Sequence, residues 1–200
     1  RFDNSDDADS FRVPGASHPM SGATEFTVAV VFSTNSNDLV GGTTNWFENT
    51  GLVDASRLGL TADWGITLNE SGQVGAGMGE GFLRPTYSVY STESGLNDGD
   101  FHLATLTYSA NTLSVYVDEG SPTRVTTPDL PPRGTIDMTF GILQSSGPNP
   151  YTGDLAEVRI YDAALDDSDV AELYQKIRSD YDNSAPVAVD DVYSLNEDPF

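Results

Sequence analysis

Apolar residues that recur at every second position constrain this chain more than any other feature. In "EFTVAVVFS" (25–33), Phe26, Val28, Val30 and Phe32 share one side of an extended chain, and Thr27, Ala29 and Val31 share the other. Both sides are mostly apolar, so the run reads as a central strand covered on two faces. "DWGITLN" (63–69) and "QVGAGMG" (73–79) flank Glu70-Ser71-Gly72, a hairpin signature. "FHLATLTYS" (101–109) and "TLSVYVD" (112–118) flank Ala110-Asn111 in the same way. "IDMTFGIL" (136–143) and "LAEVRIY" (155–161) are two further strands. Pro128, Pro131, Pro132, Pro148 and Pro150 stand between the runs, where a missing N–H harms no ladder. The pattern predicts an all-β fold of antiparallel strands in two sheets, a sandwich or jelly roll.

One stretch departs from period 2. Val170, Leu173, Tyr174 and Ile177 fall at i, i+3, i+4 and i+7, which predicts a short C-terminal helix over 166–178. Asp166 stands at the N-cap position, and Asp169 three residues later completes an acidic variant of the capping box. Acids at the start, with Lys176 and Arg178 at the end, complement the helix dipole. A helix this short is not stable alone. It must lay its apolar stripe on the sandwich, and an end or edge of a sheet is the expected place.

Charge narrows the function classes. The 200 residues carry 9 Lys and Arg against 31 Asp and Glu, a formal net charge of −22, and Lys176 is the only lysine. Nucleic-acid backbones and anionic membrane surfaces would be repelled. No apolar run approaches the ~20 residues of a membrane span. The absence of cysteine excludes disulfides and thiolate chemistry, and two histidines, His18 and His102, make a His-rich metal site implausible. The acidic surface suits salty or calcium-rich surroundings, or carboxylates that converge on Ca²⁺. After Tyr181 the character changes: Asn183-Ser184-Ala185-Pro186 reads as a boundary, so residues 1–181 form one domain and 182–200 a linker and a first strand.

"FTVAVVFST", "DGDFHLATLTYSANTLSVYVDEG" and "YTGDLAEVRIYDAALDDSDVAELY" together resemble the laminin G-like, concanavalin A-like jelly-roll domains of bacterial surface and secreted proteins. Phe101-His102 stands where that family has Trp-His, Thr112 to Asp118 matches its "VYVD" strand, and Gly153 to Tyr174 matches its closing strand and helix. The opening "FDNSDDADSFRVP" is similar to the family's start. The tail "APVAVDDVYSLNEDPF" resembles the first strand of cadherin-like or immunoglobulin-like repeats. The resemblance implies an extracellular or cell-surface module beside tandem cadherin-like domains, with a role in adhesion or recognition.

Two constellations suit binding. Trp46 and Phe47, flanked by Asn45, Glu48 and Asn49, mix flat aromatic faces with hydroxyl-binding groups, as sugar recognition requires. Asp54 and Asp63, close by in sequence, are further candidates for the ligand site and for Ca²⁺; Trp64, inside a strand pattern, reads as core. Asp3, Asn4, Asp6 and Asp7 crowd one short loop, which reads either as a solvated acidic loop or as a Ca²⁺ loop. The resemblance usually places an Asp where Ala156 stands, so a calcium role does not carry over to that position. Catalysis finds little support. Laminarinase-like relatives carry an E-x-D-x-E run, which is missing, and Asp154 and Glu157 are spaced to face opposite ways on a strand. The reading is therefore a non-catalytic module binding a glycan or cell-surface ligand with Ca²⁺ assistance. The alternatives are a structural spacer or protein-contact module and, less favoured, a polysaccharide hydrolase or lyase.

Overall fold

A computed structural model of the protein describes residues 2–3, 10–17, 19–57, 63–79, 87–128, 134, 136–144 and 149–181. The alternating runs become strands within a residue or two of their expected bounds, except that 136–143 shortens to Met138–Phe140. One sheet is built from β1 (Phe11–Val13), β10 (Met138–Phe140), β3 (Thr50–Ala55), β4 (Trp64–Leu68), β5 (Val74–Met78) and β6 (Tyr87–Tyr90), in that spatial order. The other has β11 (Asp154–Tyr161), β2 (Phe26–Ser33), β7 (His102–Ser109), β8 (Thr112–Val117) and β9 (Thr123–Thr126). All pairings are antiparallel, which gives the sandwich expected of the alternation. The crossovers β1–β10 and β11–β2 join opposite ends of the chain, so the fold closes only when the last strand is in place.

Both expected hairpins form. Ala110 and Asn111 turn between β7 and β8 at φ 46° and 61°, the pair of left-handed residues that a two-residue hairpin requires. The core lies between the sheets: Val28, Val30 and Phe32 from β2 meet Trp64, Ile66 and Met78 from the facing sheet. Phe26 and Trp64 touch across the gap with ring centroids 5.9 Å apart. Strands β1, β3, β6 and β9 escaped the period-2 reading: β1 and β9 are only three and four residues long, and "TGLVDA" and "YSVY" hold Gly, Asp and Ser where strand formers are expected.

The helix α1 runs from Asp167 to Tyr181. Asp166 Oδ1 accepts the N–H groups of Ser168 and Asp169, each at 2.9 Å, while Asp166 N–H reaches Asp169 Oδ2 at 3.4 Å, so the acidic capping box is reciprocal. The expectation that this helix covers an end or edge is corrected. Leu173 and Ile177 pack on Ala29 and Val31 of β2 and Leu103 of β7, two interior strands, so the helix lies on the outer face of the five-stranded sheet. The double-sided apolarity of β2 required such a cover. Fully burying each of those helix side chains stabilises by about 1.5–3 kcal/mol. Two polar latches flank the helix: Tyr116 and Arg124 reach Asp167, and Gln175 and Arg178 reach Glu119. Among the described residues, no helix is long and apolar enough to cross a membrane. Residues 182–200, expected to begin a further repeat, lie outside the described residues.

Candidate functional site

The outer face of the six-stranded sheet is polar where its inner face is apolar. Register sets Arg12, Thr139, Asp54, Gly65, Gly77 and Ser88 in one row across six strands. A second row runs Gly51, Thr67, Gly75 and Tyr90. The glycines leave a trough two strands wide, and Trp46 fills it. A β-carbon on Gly77 would stand 2.5 Å from Trp46 Nε1 and nearer still to Cδ1, and one on Gly65 would overlap Cζ3. The short 3₁₀ turn Trp46–Glu48 delivers this indole, anchored by Trp46 N–H to Ser88 Oγ at 3.2 Å.

This geometry corrects the expected aromatic platform. Trp46 is fully buried, as are Asn49, Asp54 and Asp63 (each 0 % exposed), so none of the four presents a surface for a sugar ring. The physical reason is the glycine trough: an indole laid on bare backbone excludes water more completely than one held out on a loop. Asn45 and Phe47 are half-buried on the same turn, where Asn45 Nδ2 donates to Glu48 Oε1 at 2.9 Å and the Phe47 ring meets the Trp46 ring edge-on at 5.9 Å. Asp63 sits just before β4, its carbonyl accepting Gly79 N–H at 3.4 Å.

Three of the expected site residues thus come together, but as a layer beneath the surface. Asn49 Nδ2 donates to Thr67 Oγ1 at 3.3 Å and reaches Tyr90 Oη at 3.5 Å. Asp54 Oδ2 accepts Gln144 N–H at 3.0 Å and lies 3.4 Å from both Gln144 Nε2 and Thr139 Oγ1. Burial pushes the Asp54 carboxyl up to about 6, against lowering by hydrogen bonds from Ser56 and Gln144. Asp54 Oδ1, Asn49 Oδ1 and Trp46 Nε1 are buried without a protein hydrogen-bond partner of good geometry. Such groups are costly unless water or a ligand satisfies them.

The groups that reach the surface were missed in the sequence. Tyr90 and Ser88 are half-buried on β6, Gln144 follows β10, and Asn149 bridges to the Trp46 turn through Glu48 O at 3.1 Å. Gln144 Oε1 accepts from Arg12 at 3.3 Å, and Asp137 pairs with the same guanidinium at 3.3 Å. Only the alternation of "YSVY" against the glycines of β5 could have pointed to Tyr90; Gln144 carries no local signal. What the face offers is a set of hydroxyl, amide and guanidinium groups over a rigid floor, which suits a polyhydroxylated ligand.

Of the expected calcium ligands, Asp3 is exposed and next to Phe2, which pairs with Gly153 through N–H···O bonds of 2.7 and 2.8 Å. Asp6 and Asp7 lie outside the described residues. Among the described residues, no three His, Asp or Glu side chains are grouped as metal ligands.

Comparison with known proteins fits this architecture. The family model of the concanavalin A-like lectin/glucanases superfamily (Laminin_G_3) matches residues 5–171. No curated protein sequence matches the chain. Among solved structures, the carbohydrate-binding module CBM40 of the Ruminococcus gnavus IT-sialidase, bound to α2,3-sialyllactose, aligns with TM-score 0.61 and 10% identity over 76% of this chain and 83% of that one. Domain 4 of AbnA, an extracellular GH43 arabinanase from Geobacillus stearothermophilus, in complex with arabinotriose, aligns at 0.58 and 19% over 83% and 72%. The binding domain of botulinum neurotoxin DC in complex with SialylT aligns at 0.63 and 12% over 88% of this chain and 41% of that chain. At identities this low the structural likeness shows the fold alone.

Proposed function

The chain belongs to the concanavalin A-like lectin/glucanases superfamily, and from that premise we propose that it is a non-catalytic carbohydrate-binding module of an extracellular bacterial protein. The observation that carries the reading is the layered polar face: buried Asp54 and Asn49 hold Gln144 and Tyr90 at the surface of a glycine-floored sheet. Preorganised groups of this kind lower the ordering cost of binding a flexible glycan. The sialyllactose and arabinotriose bound by similarly folded modules support the same ligand class. Asp54 is the one carboxylate on the outer face of these strands among the described residues, whereas retaining hydrolysis needs a pair about 5–5.5 Å apart.

A glycan array followed by calorimetry on the best ligand tests this. Tyr90→Phe or Gln144→Ala should each weaken binding by about tenfold, the worth of one well-made hydrogen bond. Absence of any glycan ligand, or variants that bind as the wild type does, defeats the reading.

Ca²⁺ assistance belongs to the same proposal. It rests on Asp3, Asp6 and Asp7, whose carboxylate oxygens are the hard donors that this ion takes. Equal unfolding midpoints in excess EDTA and in millimolar Ca²⁺ would remove it. A spacer or protein-contact role in a surface array is the second reading, favoured by the burial of Trp46 and by a charge of −22, whose self-repulsion would extend tandem domains.

A further inference from the structure

A groove of about 280 Å³ opens on the opposite sheet, between α1 and the ends of β7 and β8. Val31, Leu103 and Ile177 line it with apolar side chains. Phe101 and Tyr181 form an aromatic wall, their rings tilted by 52° with centroids 5.4 Å apart. The rim is charged on both sides. Asp100, exposed on the loop before β7, faces the groove, as does Arg178 from α1.

The loop that carries Asp100 is held in place. His102 Nδ1 lies 2.8 Å from Asp118 Oδ2, and Nε2 lies 3.2 Å from Asp98 Oδ1. The same Asp98 oxygen accepts Asp100 N–H at 2.9 Å, and Asp118 Oδ1 accepts Leu103 N–H at 2.8 Å. An imidazolium can donate to both carboxylates, whereas a neutral ring has only one N–H. Asp98 and Asp118 are thereby occupied and the loop is fixed.

We propose that this groove is a second ligand site, built for a single neutral sugar ring. The class of ligand follows from the charges. An anion would meet Asp100 and Asp118 in a protein of net charge −22. A cation would meet Arg178 and the His102 imidazole. A neutral polyol matches the rim: its hydroxyls donate to Asp100 and accept from Arg178, while its C–H face lies on Phe101 and Tyr181. The volume falls just under the roughly 300–1,000 Å³ of ligand cavities, which limits the occupant to about one ring. The inference shares its ligand class with the proposed function but not its site.

The test is an NMR titration of the whole chain at pH 6 with methyl glycosides of glucose, galactose and mannose. Glucuronate and glucosamine serve as the anionic and cationic counterparts. The imidazole resonance of His102 reports on the groove, and the fluorescence of Trp46 and Trp64 reports on the other sheet. A neutral glycoside should shift His102 saturably, and Asp100→Ala should weaken that effect about tenfold, while Tyr90→Phe leaves it unchanged. Asp100 is exposed, so folding of its variant is not at issue. If no neutral glycoside moves His102, or only a charged counterpart does, the groove proposal is overturned. Glycan binding that remains sensitive to Tyr90→Phe would in that case leave the outer-face reading standing, and loss of both signals ends both.

Discussion

Trp46 and Gly77 are complementary in shape: the indole occupies the volume that any side chain at position 77 would need. The relationship fixes the floor of the candidate site, because the tryptophan seals the middle of the outer sheet face. Trp46→Ala should cost about 3–5 kcal/mol, the usual range for losing a buried Trp. Gly77→Ala should destabilise by at least ~1–3 kcal/mol through overpacking against backbone-anchored atoms. The double variant should recover part of the loss, since the two changes share one space. Urea midpoints for the four proteins decide this, and an unperturbed Gly77→Ala would contradict the packing.

Asp54 makes stability depend on acidity. Its carboxyl titrates at about 6 in the folded protein against 3.8 as the ordinary value, so the folded state holds the proton more tightly. The stabilisation is fully present below 3.8 and is lost as pH rises through about 6. At 1.36 kcal/mol per pH unit the difference is about 3 kcal/mol. Asp54→Asn should flatten the stability profile between pH 4 and pH 6.5 and should be the more stable protein at pH 7. Chemical denaturation across that range would show parallel profiles if Asp54 does not titrate there.

His102 acts higher on the pH scale. Burial alone would lower its pKa, but Asp118 and Asp98 outweigh burial and hold it above 6.5. The clamp therefore stabilises fully below pH 6.5 and weakens as pH rises through the higher folded value. His102→Gln should be less stable than wild type at pH 5.5, with the gap narrowing by pH 8.5. The Asp98 contact, 49 % exposed on the carboxylate side, is the one that opens first, and an NMR titration of His102 would locate the midpoint.

The helix is held by its apolar stripe more than by its latches. Leu173→Ala should cost about 2–5 kcal/mol, as truncation of a buried leucine does. Arg124→Ala, which breaks the latch to Asp167 at side chains 43 % and 66 % exposed, should cost no more than about 1 kcal/mol. Thermal unfolding of the two variants ranks the effects, and a reversed order would mean that charge, not burial, docks α1.

Local patterning carried most of the fold. The alternation of β2, β7 and β8, the left-handed turn at Ala110-Asn111 and the capped stripe from Asp166 to Ile177 are all short-range features, visible because side-chain direction repeats every two or 3.6 residues. The doubly apolar β2 even announced that something must cover the second sheet. What the chain's own order does not express is which distant residues share a face. The glycines of β4 and β5 read as weak strand positions until Trp46 is seen lying on them, and Gln144 acquires meaning only when register sets Asp54 beside Thr139. Trp46, Asn49 and Asp54 were picked out by chemistry as ligand-binding groups, but register and tertiary packing bury all three. Periodicity specifies direction, whereas depth depends on what other segments bring to the same place.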